Sequence, residues 1–196
     1  MIRQTSIIVA ILIRAAIPAE APRLASDLRA GMVLIYASEG QDQPPWSIDL
    51  VEAGVLLKDN ADCARTRLRR RPGGPLEDSR LCVEHNVLYS WDPDRSAWLP
   101  QRPVGAGMAL VLPRANGGTV RYVTGSMNTE VIGGRRLQVL ETTVTTMDAS
   151  GRAVRRLRER YAVTLTTATG GRFEIPDPDD PTAWRTQQIF ELRQIR

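Results

Sequence analysis

The residues from which this chain could build chemistry are few: two cysteines, one histidine, and rows of arginine and glutamate. Cys63 and Cys82 bracket the stretch "CARTRLRRRPGGPLEDSRLC", which admits three readings. A metal site would use Cys63, Cys82 and His85, but it lacks a fourth ligand and the paired C-x-x-C spacing of structural zinc. A nucleic-acid hook would use Arg65, Arg67, Arg69, Arg70 and Arg71, but neither helical periodicity nor stacking aromatics accompany them, and no nucleic-acid partner is expected. The third reading is a disulfide closing a surface loop, the simplest use of an isolated cysteine pair outside the cytosol. A ring of that size stabilises by about 3 kcal/mol, and Pro72-Gly73-Gly74-Pro75 lets the enclosed segment reverse.

His85 falls in "LCVEHNVLYSW", where alternation places it on one face with Leu81, Val83, Val87, Tyr89 and Trp91. That pattern predicts a buried, hydrogen-bonded histidine inside a strand rather than a catalytic base. No Gly-x-Ser-x-Gly elbow, phosphate-cradling glycine loop, dinucleotide fingerprint or Cys-x-x-Cys-His is present, so the sequence calls for no cofactor and no metal and predicts a non-enzyme. The remaining catalytic reading is a hydrolase built on two glutamates. In "RRLRERYAVTL", Leu157, Glu159, Tyr161, Val163 and Leu165 share one face, and Arg156, Arg158 and Arg160 the other. A three-residue loop at Asp148–Gly151 would set Glu141 opposite Glu159, where repulsion would raise one carboxyl pKa. A four-residue loop would set Glu141 opposite Arg158, a plain ion pair. The three arginines, about 7 Å apart along the strand, could receive a lipid head group, a sulfated glycan or another acidic surface. Otherwise they form a solvated face that keeps sheets from pairing.

Elements must hold these residues in place, and nearly all of them read as strands. "GMVLIYAS" is a continuous apolar run, and "WSIDLVEAG" alternates. "MALVLP" and "TVRYVTG" flank Asn116-Gly117-Gly118, and Gly133-Gly134 marks another reversal. Two long arms follow, "RRLQVLETTVTTM" and "RAVRRLRERYAVTLTTAT", and Gly170-Gly171 predicts a turn into "RFEI". Asp180-Pro181 predicts one short helical turn before a closing strand. The fold class expected is mainly β, a single antiparallel curved sheet or half-barrel: a meander with a long late hairpin and little helix.

The chain has 196 residues, with 42% hydrophobic, 24% charged and a net charge of +4, the composition of one globular domain. Lys58 is the only lysine among 26 basic residues, a bias that reads as genomic. At the N-terminus Arg3, the apolar run Ile7–Ile13 and Ala19-Glu20-Ala21 form the pattern of an export signal, too short to span a membrane. The expected organisation is a leader over residues 1–21 and one β-rich domain over 22–196. The mature chain would be periplasmic or secreted and carry no transmembrane segment.

With that leader and the residue 135–169 hairpin, the chain resembles periplasmic half-barrels of the lipoprotein-carrier type. The resemblance implies a curved sheet wrapped over an apolar cavity that holds a lipid or another amphipathic ligand, and it assigns no functional residue. The alternative is a cell-envelope interaction module that docks an acidic partner through Arg156, Arg158 and Arg160.

Overall fold

The computed structural model describes residues 24–40, 47–55, 62–69, 74–180 and 182–196. The expected leader, Arg70, Arg71 and the first part of the Pro72–Pro75 turn lie outside the described residues. Twelve strands account for almost all of the rest: β1 (Val33–Gly40), β2 (Ser47–Val55), β3 (Asp62–Arg69), β4 (Leu76–Glu84), β5 (Val87–Asp92), β6 (Ala97–Pro103), β7 (Ala109–Pro113), β8 (Thr119–Ile132), β9 (Arg135–Met147), β10 (Ala153–Ala162), β11 (Thr167–Pro176) and β12 (Trp184–Ile195). A 3-10 turn at Val163–Leu165 is the only helical element among the described residues.

The strands form one antiparallel sheet in the order β6-β5-β4-β3-β2-β1-β12-β11-β10-β9-β8-β7. Consecutive strands pair throughout except for β6 and β7, and β12 returns to lie beside β1, so the break falls between β6 and β7. Proline explains the break. Pro100 and Pro103 stand in β6, and a residue without an N–H is tolerated only where no ladder runs. The sheet is therefore open, yet strongly curved. Tyr36 of β1, Ala64 of β3, Leu88 of β5, Tyr161 of β10 and Phe190 of β12 belong to one buried cluster, which a flat sheet could not bring together.

Turn chemistry sets most reversals. Gly133 and Gly134, at φ 55° and 78°, make the two-residue connection of β8 to β9. At β3 and β4 the facing residues Cys63 and Cys82 are joined by a disulfide. What it closes is a paired hairpin rather than a loop, with Arg65 bonded to Asp78 across it.

Four expectations are corrected. His85 is not inside a strand: "LCVEHNVLYSW" is a hairpin whose turn is His85-Asn86, both at positive φ (49° and 59°), and the imidazole is 90% exposed. Gly170-Gly171 is not a turn but the interior of β11, and the chain reverses at Val163–Thr166, with Thr166 in the left-handed region at φ 53°. The glycine pair marks close approach instead, since a Cβ on Gly171 would lie 2.6 Å from the Arg158 carbonyl oxygen. Among the described residues no helix follows Asp180. Its carboxylate accepts from the Thr182 N–H (2.9 Å) and hydroxyl (2.7 Å), and its carbonyl from the Ala183 N–H (2.9 Å), making a tight turn into β12.

The fourth concerns register. Glu141 faces Arg160 and Glu159 faces Thr142, so neither expected pairing of Glu141 forms. At the turn Met147 faces Ala153, the register of the three-residue loop, and the bulge between Ala153 and Arg155 then shifts the phase by one residue.

Candidate functional site

Alternation along β10 divides its side chains between two environments. Leu157, Glu159 and Tyr161 turn inward, while Arg156, Arg158 and Arg160 turn outward, as period two requires. The two glutamates of the hydrolase reading thus sit on opposite faces, with Glu159 buried and Glu141 exposed and bonded to Asn128 (3.1 Å). Two acids separated by a sheet cannot share a proton, so that reading fails on geometry. The metal reading fails likewise: Cys63 and Cys82 are bonded to each other and His85 points to solvent.

The inner face contains an ion pair that sequence spacing does not reveal. Arg102 of β6 donates to Glu159, with the two side chains 14% and 5% exposed. Its guanidinium lies 3.8 Å from the centre of the Tyr161 ring and 5.9 Å from that of Tyr122. Burial, the largest single influence, acts to lower the Arg102 pKa, but the Glu159 carboxylate together with Tyr161 and Tyr122 holds the group above its ordinary value. One signal of this pair was legible, because a lone carboxylate in the inward series Leu157, Glu159, Tyr161 requires a cation opposite it.

The inner face also holds tyrosines whose ionisation is suppressed. Burial pushes Tyr161 up to about 12, and Tyr36, which donates to the Ala168 carbonyl (2.7 Å), also up to about 12. A folded-state pKa above the unfolded 10 means that the stability these groups contribute is complete below pH 10 and is lost as the pH rises towards 12. Alkaline titration followed by ultraviolet absorbance should therefore show two of the four tyrosines ionising only near pH 12 or on unfolding. All four ionising together near pH 10, in protein still folded by circular dichroism, would contradict this inner face.

On the outer face β8 to β12 carry a groove of about 720 Å³, lined among others by Val123, Glu141, Arg158, Arg160, Arg172 and Ile189. Its charge is organised by one residue. Glu174 is 4% exposed because arginines cover it. Its carboxylate accepts from Arg156 Nε (2.6 Å) and lies 3.4 Å from Arg158 Nε and 3.1 Å from Arg172 Nε. One anion thus holds three guanidiniums. Arg156 is also stacked on Trp184 at 4.2 Å and largely buried, so it belongs to the support. Arg158 and Arg172, 47% and 46% exposed, face the groove. Arg160 is engaged elsewhere, 3.5 Å from Glu130 and 3.7 Å from Glu191. The arginines expected to act as three equivalent groups therefore occupy three different settings. Arg172 escaped notice because it sits in a short run after Gly170-Gly171, on a different strand. Val123 and Ile189, 40% and 46% exposed, add aliphatic surface to the groove.

No protein-family model matches the chain, and no curated protein matches it in sequence. Two solved structures are similar to it. One is a protein of Bacteroides fragilis NCTC 9343, described as exported and of YmcC-like fold, at 8% identity and TM-score 0.48 over 86% of this chain and 96% of that one. The other is a protein of Parabacteroides distasonis ATCC 8503, described as a lipoprotein, at 9% identity and TM-score 0.41 over the same shares. Neither likeness is strong enough to carry an argument about function. Among the described residues no helix is long and apolar enough to cross a membrane.

Proposed function

We propose that this is an exported, non-enzymatic docking module that receives an acidic partner in the outer groove between β8 and β12. The observation that carries the reading is the convergence of Arg156, Arg158 and Arg172 on the single carboxylate of Glu174, which leaves positive charge in excess around that carboxylate, while Glu141 and Glu191 line the rest of the groove. Glu174 lies close to Nε of both Arg158 and Arg172, and both arginines line the groove. That prearrangement suits bidentate recognition of carboxylate, sulfate or phosphate. Export rests on the residue 1–21 pattern and on the disulfide, a bond suited to an oxidising compartment.

An apolar ligand such as a lipid within the curved sheet is the less favoured reading. Tyr36, Tyr161, Phe190 and Leu192 fill the inner face, and Arg102 with Glu159 would have to be displaced. The test is elution from heparin-agarose. Arg158→Ser with Arg172→Ser should weaken binding about tenfold or more, as expected for two charge-assisted contacts. Arg95→Ser, an exposed arginine beyond the groove, should elute as the parent does. Equal elution of all three proteins would refute the groove as the docking site.

A further inference from the structure

The two edges of the open sheet are not equivalent. On β6, Pro100 and Pro103 remove the donors that an added strand would use. On β7 the only proline is Pro113, at the end of the strand. Thr124 N donates to the Met108 carbonyl (2.9 Å) and Arg114 N to the Gly118 carbonyl (2.9 Å). Bonded positions alternate in an antiparallel ladder, so residues 108, 110, 112 and 114 face β8, while Ala109 and Val111 turn their N–H and C=O groups to the free edge. β7 ends the strand order, Ala109 is exposed, and Val111 is 55% exposed with its side chain on the outer face. The seam is held in shape rather than loose: the Thr124 hydroxyl accepts from Met108 N (2.8 Å) and donates to the Gly105 carbonyl (2.7 Å), which fixes the β6–β7 connection.

The charge beside this edge has one sign. From Arg95 to Thr129 the chain contains no Asp or Glu, while Arg102, Arg114 and Arg121 fall within that span. Arg102 is neutralised inside by Glu159, but Arg114 and Arg121 are exposed, and Arg121 faces Val111 across the ladder. A second copy of this chain would bring arginine to arginine. We infer that the free edge of β7 binds an extended acidic segment of another protein, which adds as a strand to Ala109–Leu112 and sets its carboxylates against Arg114 and Arg121. Such strand addition takes its affinity from main-chain hydrogen bonds and its selectivity from alternate side chains.

The probe is a synthetic peptide alternating valine and glutamate over seven residues, with a valine–lysine peptide as its counterpart. In full-length protein, saturation with the glutamate peptide should slow amide exchange at Ala109 and Val111 about tenfold, the protection expected from one new hydrogen bond at each. Val111→Pro removes an edge donor without touching the β8 ladder and should abolish that protection at Ala109 and weaken binding about tenfold. Arg114→Glu with Arg121→Glu should reverse the preference to the lysine peptide, which separates recognition from any loss of folding in the proline variant. Unchanged exchange at both amides, equal binding of the two peptides, or protection that depends only on protein concentration (a second copy as occupant) would each overturn the inference. Arg158→Ser with Arg172→Ser should leave this binding intact, because those residues lie on the far side of the groove.

Discussion

Replacing Arg102 with methionine should destabilise the protein by about 3–5 kcal/mol, the usual cost of leaving one charge of a buried pair without its partner. Glu159 is 5% exposed and is held by Arg102 from a strand 57 positions away in sequence, at the open side of the sheet. Methionine would fill much of the space but leave the carboxylate facing the Tyr161 ring with nothing to neutralise it. The midpoint of urea unfolding should fall accordingly. Arg102→Met with Glu159→Leu should recover most of the loss, since an apolar pair of similar volume avoids the desolvation of both charges. A drop below about 1 kcal/mol in the single variant would show that water reaches Glu159 and that the seam is looser than described.

The second large effect concerns the disulfide. Cys63→Ser with Cys82→Ser opens a ring of sequence separation 19 and should cost about 3 kcal/mol. For a chain of this length that corresponds to a fall of roughly 6–12 °C in Tm. The two serines would still face each other across β3 and β4, so the hairpin can form, and the loss comes chiefly from the larger freedom of the unfolded chain. Amide exchange should quicken most in β3 and β4. An unchanged Tm in reducing and oxidising buffer would rule out the bond as a contributor to stability.

Much of the architecture was legible because turn residues punctuate it. Asn116-Gly117-Gly118, Gly133-Gly134 and Asp148–Gly151 all lie at reversals, and the arm "RRLQVLETTVTTM" coincides with β9. The errors share one cause: a local pattern has more than one physical solution. Histidine and asparagine side by side can occupy a strand or, as here, a tight left-handed turn. A glycine pair can reverse a chain or, as at Gly170-Gly171, let neighbouring backbone come near. A bulge at residue 154 is invisible to alternation, yet it decides which residue Glu141 meets. The pairing of Arg102 with Glu159 lay beyond reach for a further reason: the two lie 57 positions apart, and only the curvature of the sheet brings their strands together. The coordination of Glu174 is local, between the adjacent strands β10 and β11, but it depends on a reversal at Val163–Thr166 rather than at Gly170-Gly171.

The pairing of β1 with β12 also bears on how the molecule comes into being. Val33 and Arg196 exchange two main-chain bonds of 2.9 Å each, so the earliest described strand cannot complete its neighbourhood until the last has been made. Two meanders can zip locally, but the suture between them joins position 33 to position 196 and cannot close until both strands are present. Closure over so long a separation is slow.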